Sequence, residues 1–300
     1  MRQRGGWHMI PFPESFDELN ERTLGGRALG EITTMIAPSS IGKSIFVNEM
    51  LLEEIKETDY SIGVISLEAD KAEFVEQMNS LNMSVRLVAV PDDEKDWDSI
   101  AKSNEIFENR IFMIEDMGAL KNQDQFWDKV NFLVNGLGCK TVVFDPATLG
   151  VRAARMDEEE FMADLVTFVK KTKVDWINVC HVRKNDNSGQ ANSEGKDISE
   201  EDAKGSGAWI QNSMNNIILM RNKQADNEEL KNTTKVKLAK CRRNGPGTGV
   251  AGYVLYDVET GRLGIGRPTL DILEEDEGDW EDPSEDFGPV NRFGEGEQGE

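Results

Sequence analysis

The chain is poor in cysteine, and its cysteines match neither of the arrangements that this residue most often forms. Cys139, Cys180 and Cys241 are far apart in the sequence, and none belongs to a Cys-x-x-Cys pair. Zinc sites need closely spaced cysteines, and disulfide frameworks normally have an even number of them. The sequence therefore indicates three buried thiols in a reducing compartment, and it argues against both a zinc site and a disulfide framework.

Long apolar runs are also missing. No stretch approaches the ~18 consecutive apolar residues that a membrane-spanning helix requires. The basic start, Met1 to Trp7, lacks the apolar core of a secretory signal. We therefore expect a cytoplasmic protein with no membrane contact. A chain of 300 residues, 38% of them hydrophobic, is long enough for one large α/β domain.

Positive charge is scarce, above all near the carboxyl terminus. Residues 271–300 contain thirteen acidic side chains and the single basic Arg292, so they supply −12 of the net charge of −22. High charge combined with few apolar side chains predicts a disordered acidic tail. The other residues together carry only −10. A body of this mild charge does not exclude binding of DNA through a few local loops.

Apolar runs alternate with amphipathic segments along most of the chain. Predicted strands are Glu31–Ile36, Ser61–Leu67, Arg110–Ile114, Thr141–Phe144, Trp176–Cys180 and Asn216–Met220. Predicted helices are Lys43–Glu57, Lys71–Met78, Asp98–Glu108, Asp124–Asn135, Glu158–Lys171 and Gly207–Met214. This alternation is typical of an α/β fold whose mostly parallel sheet is covered by helices on both faces. Two further strands without a helix between them predict an antiparallel extension, at Lys235–Lys240 and Gly252–Tyr256.

A phosphate-binding loop is predicted after the first strand. The segment Ala37-Pro38-Ser39-Ser40-Ile41-Gly42-Lys43-Ser44 has P-loop spacing, follows a strand and opens a helix. Its N–H groups and the positive end of the helix would hold phosphates. Lys43 would contact the β- and γ-phosphates, and Ser44 would bind Mg²⁺, which prefers oxygen ligands. Pro38 and the two serines stand where glycines often occur, and Pro38 removes one N–H donor.

Three more polar residues stand at predicted strand ends. Asp145 follows a buried strand and is the candidate second ligand of Mg²⁺. Glu68 would face the γ-phosphate and activate water; alternatively, it starts the next helix, where an acid complements the helix dipole. His181 is one of only two histidines. From its position alone it is equally a γ-phosphate sensor or a structural histidine.

Several ordered blocks, taken together with these residues, resemble the helicase half of the phage primase-helicase family. This family comprises ring-shaped, DnaB-type replicative helicases that are related to the mitochondrial Twinkle helicase. The blocks are Leu19-Asn20-Glu21-Arg22-Thr23-Leu24-Gly25, Gly136-Leu137-Gly138-Cys139, Val179-Cys180-His181, Lys204-Gly205-Ser206-Gly207-Ala208, Lys240-Cys241-Arg242, Gly249-Val250-Ala251-Gly252-Tyr253, Tyr256 and Glu259-Thr260-Gly261. The resemblance implies a RecA-like P-loop ATPase domain at residues 19–270, between a short arm (1–18) and the acidic tail (271–300).

The resemblance also implies roles in hydrolysis of ATP or dTTP. Glu68 would be the catalytic base, and His181 would link the phosphate state to DNA. Arg242 would be an arginine finger that enters a neighbouring subunit's site, with Lys240 beside it. From the residues alone, the alternative for Lys240 and Arg242 is a solvated face on an exposed strand. Another implied pair, which would clasp the nucleotide base, is Arg221 and Tyr256.

In this family single-stranded DNA threads the ring and contacts two loops. The resemblance implies that one loop is residues 183–204, which makes Arg183 and Lys184 candidate contacts, and that the other is Lys204-Gly205-Ser206. Backbone contacts from cations and N–H groups suit a motor that ignores base sequence. Lys204 stands where the family typically has arginine, and lysine lacks the bidentate phosphate geometry of arginine.

Partners also follow from the resemblance. We expect a homo-hexamer of a phage protein, acting in the host cytoplasm. No primase sequence precedes Leu19, so either priming comes from a separate chain or this chain is one piece of a split or truncated gene. The acidic tail would dock on the replicative DNA polymerase through aromatic residues among its carboxylates, namely Trp280, Phe287 and Phe293. The alternative is a tail that only solubilises the protein or mimics single-stranded DNA.

Two functions therefore stay open. The first is a replicative helicase that moves 5′–3′ on single-stranded DNA as a ring and unwinds duplex DNA at the fork. The second is a non-translocating RecA-like ATPase that acts as a loading or assembly factor in DNA replication. The complete set Lys43, Glu68, Asp145 and Arg242 favours turnover. The absence of the family's linker helix before Leu19 favours the second function.

Overall fold

A nine-stranded sheet organises the part of the chain that the computed structural model describes, residues 3–4, 7–115, 122–182, 197–202 and 207–266. The strands, including three that form a separate small sheet, are β1 Gln3–Arg4, β2 Trp7–Ile10, β3 Arg27–Ala28, β4 Ile32–Ala37, β5 Ser61–Ser66, β6 Ile111–Ile114, β7 Cys139–Asp145, β8 Asp175–His181, β9 Asn215–Met220, β10 Thr233–Cys241, β11 Gly249–Tyr256 and β12 Leu263–Ile265. The predicted DNA contacts Arg183, Lys184, Lys204, Gly205 and Ser206 and the acidic tail lie outside the described residues.

The large sheet has the strand order β12-β11-β10-β9-β4-β8-β7-β5-β6. The six strands from β9 to β6 are parallel to one another. Strands β10, β11 and β12 extend the sheet in antiparallel fashion beyond β9. The predicted mostly parallel α/β fold with an antiparallel extension is therefore confirmed. Each predicted strand occurs, with ends shifted by at most three residues.

The helices are α1 Asp17–Arg22, α2 Lys43–Glu57, α3 Lys71–Met83, α4 Trp97–Asn104, α5 Gln123–Asn131, α6 Ala147–Ala153, α7 Glu158–Thr172, α8 Ala208–Asn212 and α9 Glu228–Asn232. Each predicted helix occurs, α2 with the predicted ends and the others with shifted ends, and α1, α6 and α9 were not predicted. Helix α3 is longer than predicted because buried Leu81 continues the spacing of Phe74 and Met78. The predicted helix Asp124–Asn135 divides into α5 and a π-helical turn at Phe132–Gly136.

Strands β1, β2 and β3 form a three-stranded antiparallel sheet that the sequence pattern did not predict. These strands are only two to four residues long, too short to show an alternating pattern. Met9, Ile10, Phe12 and Phe16 are all at most 3% exposed. Residues 9–16 therefore contribute buried side chains to the same domain as the residues after Leu19.

The core of the described residues falls into two large hydrophobic clusters and a smaller one around Ile36, Ile218 and Met220. One large cluster includes Phe46, Met50 and Phe74, and the other includes Phe144, Phe161 and Trp176. Cys139, Cys180 and Cys241 are buried and free, as predicted. None of the helices in the described ranges combines the length and the apolar character that a membrane crossing needs.

Candidate active site

The carboxyl edge of the parallel strands carries the predicted nucleotide residues. Strand β4 is buried along its whole length and ends at Ala37. The P-loop follows, with Ser40 at φ 62° and Gly42 at φ 96°. Gly42 suits this left-handed backbone because a side chain there would be strained. Helix α2 then begins at Lys43 without a side-chain cap, so the first N–H groups of the helix have no protein side chain as acceptor.

Residues from three strand ends meet at this edge. Lys43 is only 5% exposed, and its Nζ lies 3.1 Å from His181 Nδ1. On the other side of the imidazole, His181 Nε2 lies 3.1 Å from Glu68 Oε1. The Ser39 hydroxyl is 3.4 Å from His181 Nδ1. The structure therefore brings Lys43, Glu68 and His181 together in one polar array.

Asp145 lies beside this array at the end of β7. Its Oδ1 is buried and has no hydrogen-bond partner among the described residues. Burial raises the pKa of Asp145 to about 6; Lys43 opposes the rise and Glu68 adds to it. A buried carboxylate oxygen without a partner fits a site for a cation.

Ser44 completes the predicted metal ligands. Its side chain is exposed in the first turn of α2, so its hydroxyl is accessible to a ligand. No group of three or more His, Cys, Asp or Glu side chains in the described ranges could hold a metal. One hydroxyl and one carboxylate suit Mg²⁺, which commonly takes its remaining oxygen ligands from phosphates and water.

A cleft of about 220 Å³ opens beside the P-loop. Its lining includes Ser40 and Gly42 together with the two predicted base-binding residues, Arg221 and Tyr256. The Arg221 guanidinium is oriented by donation to Asn232 Oδ1 at 2.6 Å and to the carbonyl of Lys231. Asn232 also lines the cleft, and nothing in the sequence pattern pointed to it.

A second, larger cavity of about 450 Å³ lies away from these residues. It is lined mainly by apolar side chains of α3, β6 and the segment between α4 and β6, including Phe74, Met78 and Phe107. None of the predicted site residues contributes to it. The smaller cleft, in contrast, is lined by the predicted site residues Ser40, Gly42 and Arg221.

The two predicted trans-acting cations lie at the other end of the sheet. Arg242 directly follows β10, whose last residue pairs with Asn215 at the start of β9. Asn215 pairs in turn with Thr33, near the start of β4. The P-loop begins four residues later, at Ala37, which is about 13 Å of strand. The structure does not bring Arg242 and Lys43 of one chain together.

Both cations contact the last turn of α8. Lys240 Nζ donates to the carbonyls of Ile210 at 2.7 Å and Gln211 at 3.0 Å. Arg242 Nη2 donates to the Gln211 carbonyl at 2.5 Å. Burial lowers the pKa of Lys240, and Arg242 lowers it further. The Arg242 side chain remains exposed although it donates this hydrogen bond.

Comparison with known proteins gives related sequences and folds. The sequence profile of the DnaB-like helicase C terminal domain matches residues 12–257. The DNA helicase/primase of Enterobacteria phage T3 is 35% identical over 273 residues, which cover 87% of this chain and 46% of that protein. The chain thus spans about half the length of this curated relative.

Two solved structures share the fold. One, described as an ATPase domain, has a TM-score of 0.68 at 20% identity and covers 86% of this chain and 92% of that one. The other, a DnaB-like replicative helicase described with its interactions with primase, has a TM-score of 0.69 at 20% identity and covers 87% of this chain and 64% of that one. The predicted RecA-like ATPase fold is confirmed.

Proposed function

Because this chain belongs to the DnaB-like helicase C-terminal domain family, we propose that it hydrolyses ATP or dTTP to move along single-stranded DNA as a replicative helicase. The observation that carries this proposal is the polar array of Lys43, His181 and Glu68 beside the unpartnered oxygen of Asp145. A nucleotide switch without turnover needs a phosphate cradle, but it does not need a positioned base. The array therefore favours hydrolysis.

The array suggests how the residues act on a bound triphosphate. When a triphosphate binds, Lys43 would leave His181 and contact the β- and γ-phosphates. The His181 imidazole would then be free to contact the γ-phosphate. The Glu68 side chain is 51% exposed, so it is accessible to an attacking water that it would orient or deprotonate. Mg²⁺, when held by Ser44 and Asp145, would neutralise charge on the phosphate oxygens.

Arg242 and Lys240 would complete the site of a neighbouring subunit. Their position at the amino edge of the sheet, a strand length away from the P-loop of the same chain, supports action in trans. A guanidinium inserted beside the γ-phosphate stabilises the charge of the transition state. This arrangement makes hydrolysis depend on assembly, for which we propose a homo-hexameric ring.

The DNA-binding proposal rests on residues outside the described ranges. His181 ends β8 immediately before the segment that carries Arg183 and Lys184. A change in His181 contacts would therefore be transmitted to that segment. Lys204, Gly205 and Ser206, just before α8, would supply the second contact. We also propose that movement is 5′–3′ and that the acidic tail docks on the replicative polymerase.

The test is nucleotide hydrolysis with and without single-stranded DNA, with particle mass measured in the same samples. We expect a hexamer whose turnover rises at least about tenfold with DNA, and a Lys43→Ala variant that folds but loses about 10²–10³-fold in rate. Unwinding of a forked duplex would separate translocation from a loading role. A monomer whose hydrolysis rate does not change when DNA is added would contradict the proposal.

A further inference from the structure

The turn that carries Arg242 is fastened to the amino-terminal part of the chain by the next residue, Arg243. Arg243 Nη2 donates to the carbonyl of Gly26 at 2.6 Å. Its Nε lies 3.1 Å from Glu31 Oε1, and its Nη1 lies 3.1 Å from the sulfur of Met9. One guanidinium therefore joins the end of β10 to β2, to the residue before β3 and to the residue before β4.

The Arg243–Glu31 pair is built into the interior. The side chains of Arg243 and Glu31 are 13% and 3% exposed. Burial raises the pKa of Glu31, and Arg243 opposes that rise. A buried carboxylate without its cation is strongly unfavourable, so Glu31 holds Arg243 firmly in place.

Neighbouring residues tie down the rest of the turn. Asn244 Nδ2 donates to the Arg22 carbonyl at 2.9 Å. Arg22 Nη1 donates in return to the Gly247 carbonyl at 3.2 Å. A Cβ at Gly247 would lie 2.6 Å from the Arg22 carbonyl oxygen, so no side chain fits there. The turn therefore has little freedom to shift relative to residues 22–31.

Arg242 itself has only peripheral side-chain restraint. It is exposed, and its guanidinium contacts the Gln211 carbonyl. Its backbone N–H donates to the Met214 carbonyl at 2.9 Å, which fixes the turn on one side. Arg243 fixes the other side. The direction in which the Arg242 side chain projects from the domain is therefore set by the contacts of Arg243.

We propose that Arg243 is a positioning residue for the neighbouring subunit's site: by binding Glu31 and Gly26 it aims Arg242 outward. The inference rests on the proposed trans role of Arg242. A displacement of about 1 Å in a group that acts on the transition state can cost on the order of 10²-fold in rate. The amino-terminal residues 9–31 thereby take part in hydrolysis at a site they do not line.

The first test replaces Arg243 in the full chain. We expect Arg243→Met to lower kcat about 10- to 100-fold while KM for the nucleotide changes less than about twofold. Arg110→Met is the matched control. Arg110 is half-buried and donates to the carbonyls of Thr58 and Tyr60 beside β6, the outermost strand at the opposite side of the sheet from β10. The control should lose stability and keep kcat.

A double variant separates positioning from stability. Arg243→Met leaves Glu31 buried without its cation, so the melting temperature should fall. Adding Glu31→Gln removes that charge and should restore much of the melting temperature, whereas kcat should stay low because the turn is still not anchored. Recovery of kcat in step with the melting temperature would show a structural role only and would overturn the inference.

Mixed assemblies distinguish failure of this inference from failure of the proposed function. Lys43→Ala subunits have an inactive site but an intact Arg242 turn. Mixing them with Arg243→Met subunits should give more turnover than either variant alone, and mixing them with Arg242→Ala subunits should do the same. Rescue of Arg242→Ala without rescue of Arg243→Met would refute positioning alone. Rescue of neither would refute the trans finger.

Discussion

Both edges of the parallel sheet hold clustered cations and carboxylates, but their partners differ. At the amino edge, Arg27 is fully buried and forms ion pairs with Glu54 at 2.8 Å and with Asp175. The Thr141 hydroxyl donates to Glu54 at 2.6 Å. Each edge also has a buried carboxylate oxygen without a hydrogen-bond partner among the described residues, Asp175 Oδ1 at the amino edge and Asp145 Oδ1 at the carboxyl edge. The two edges therefore differ in the cation that pairs with the carboxylate.

The difference shows how one sheet separates stability from activity. Asp175 and Asp145 both have a pKa raised by burial, to about 7 and about 6. Asp175 has a permanent cation in Arg27, which opposes the rise. Asp145 has only the more distant influence of Lys43, which contacts His181 instead. The amino edge therefore supplies its buried carboxylates with a cation of the same chain, whereas the cation at the carboxyl edge is the Mg²⁺ that we propose for Asp145.

The largest expected effect comes from breaking the amino edge. Arg27→Met should lower the free energy of unfolding by about 3–5 kcal/mol, because it leaves two buried carboxylates without their cation. The measurement is urea unfolding at pH 8. Lys231→Met is the control, since the Lys231–Glu228 pair is exposed and should contribute only about 0–1 kcal/mol. Equal losses in the two variants would contradict the assigned role of the amino edge.

A substitution at the carboxyl edge should instead raise the free energy of unfolding. Asp145→Asn should raise the free energy of unfolding of the nucleotide-free protein by on the order of 1–2 kcal/mol at pH 8, since it removes a buried charge that has no partner. The same variant should lose Mg²⁺-dependent nucleotide binding. The measurements are urea unfolding and titration with a fluorescent nucleotide, each with and without Mg²⁺.

The pH dependence of this effect follows from the raised pKa of Asp145. The proton on Asp145 stabilises the folded state fully below its ordinary pKa of 3.8, and this stability is lost as the pH rises through about 6. The gain from Asp145→Asn should therefore grow across that interval and stay constant above it. Glu228→Gln is the control, because the Glu228 side chain is 80% exposed and is not among the groups that shift the pKa of Asp145. Destabilisation by Asp145→Asn at pH 8 would count against a cation site at this carboxylate.

The sequence revealed the carboxyl edge better than the amino edge. Lys43 and Asp145 stand in local patterns, a P-loop and the end of a buried strand, and the P-loop made Asp145 the candidate metal ligand. Arg27, Glu54 and Asp175 are far apart in the chain and share no pattern. The register of β7 and β8 places Thr141 beside Asp175, and β3 and α2 bring Arg27 and Glu54 to the same point. Local patterns carry no information about such contacts.

The same limit applies within the site. The resemblance pointed to Arg221 and Tyr256, which line the cleft beside the P-loop. It did not point to Asn232, which orients the Arg221 guanidinium. It also did not point to Arg243, although it assigned the arginine finger to the preceding residue, Arg242. Residues that orient a functional side chain depend on tertiary contacts, and these became visible only in the folded chain.

The smallest expected effect concerns the cleft at the carboxyl edge. Tyr256 is half-buried and packs against the core cluster that includes Phe46, so its ring is a ready surface for a nucleotide base. Tyr256→Ala should raise KM for the triphosphate about 3- to 10-fold, the ~0.5–1.5 kcal/mol of an aromatic contact. Since the base does not change during phosphoryl transfer, kcat should stay the same.

Tyr256→Phe is the matched control for this prediction, because it keeps the ring and removes only the hydroxyl. Steady-state kinetics with ATP and with dTTP would measure both variants, and Tyr256→Phe should keep the KM of the natural chain. A fall in kcat at constant KM for Tyr256→Ala would place this residue with the phosphate-binding groups. The carboxyl edge would then have no separate base-binding cleft and would bind only the phosphates and their cation.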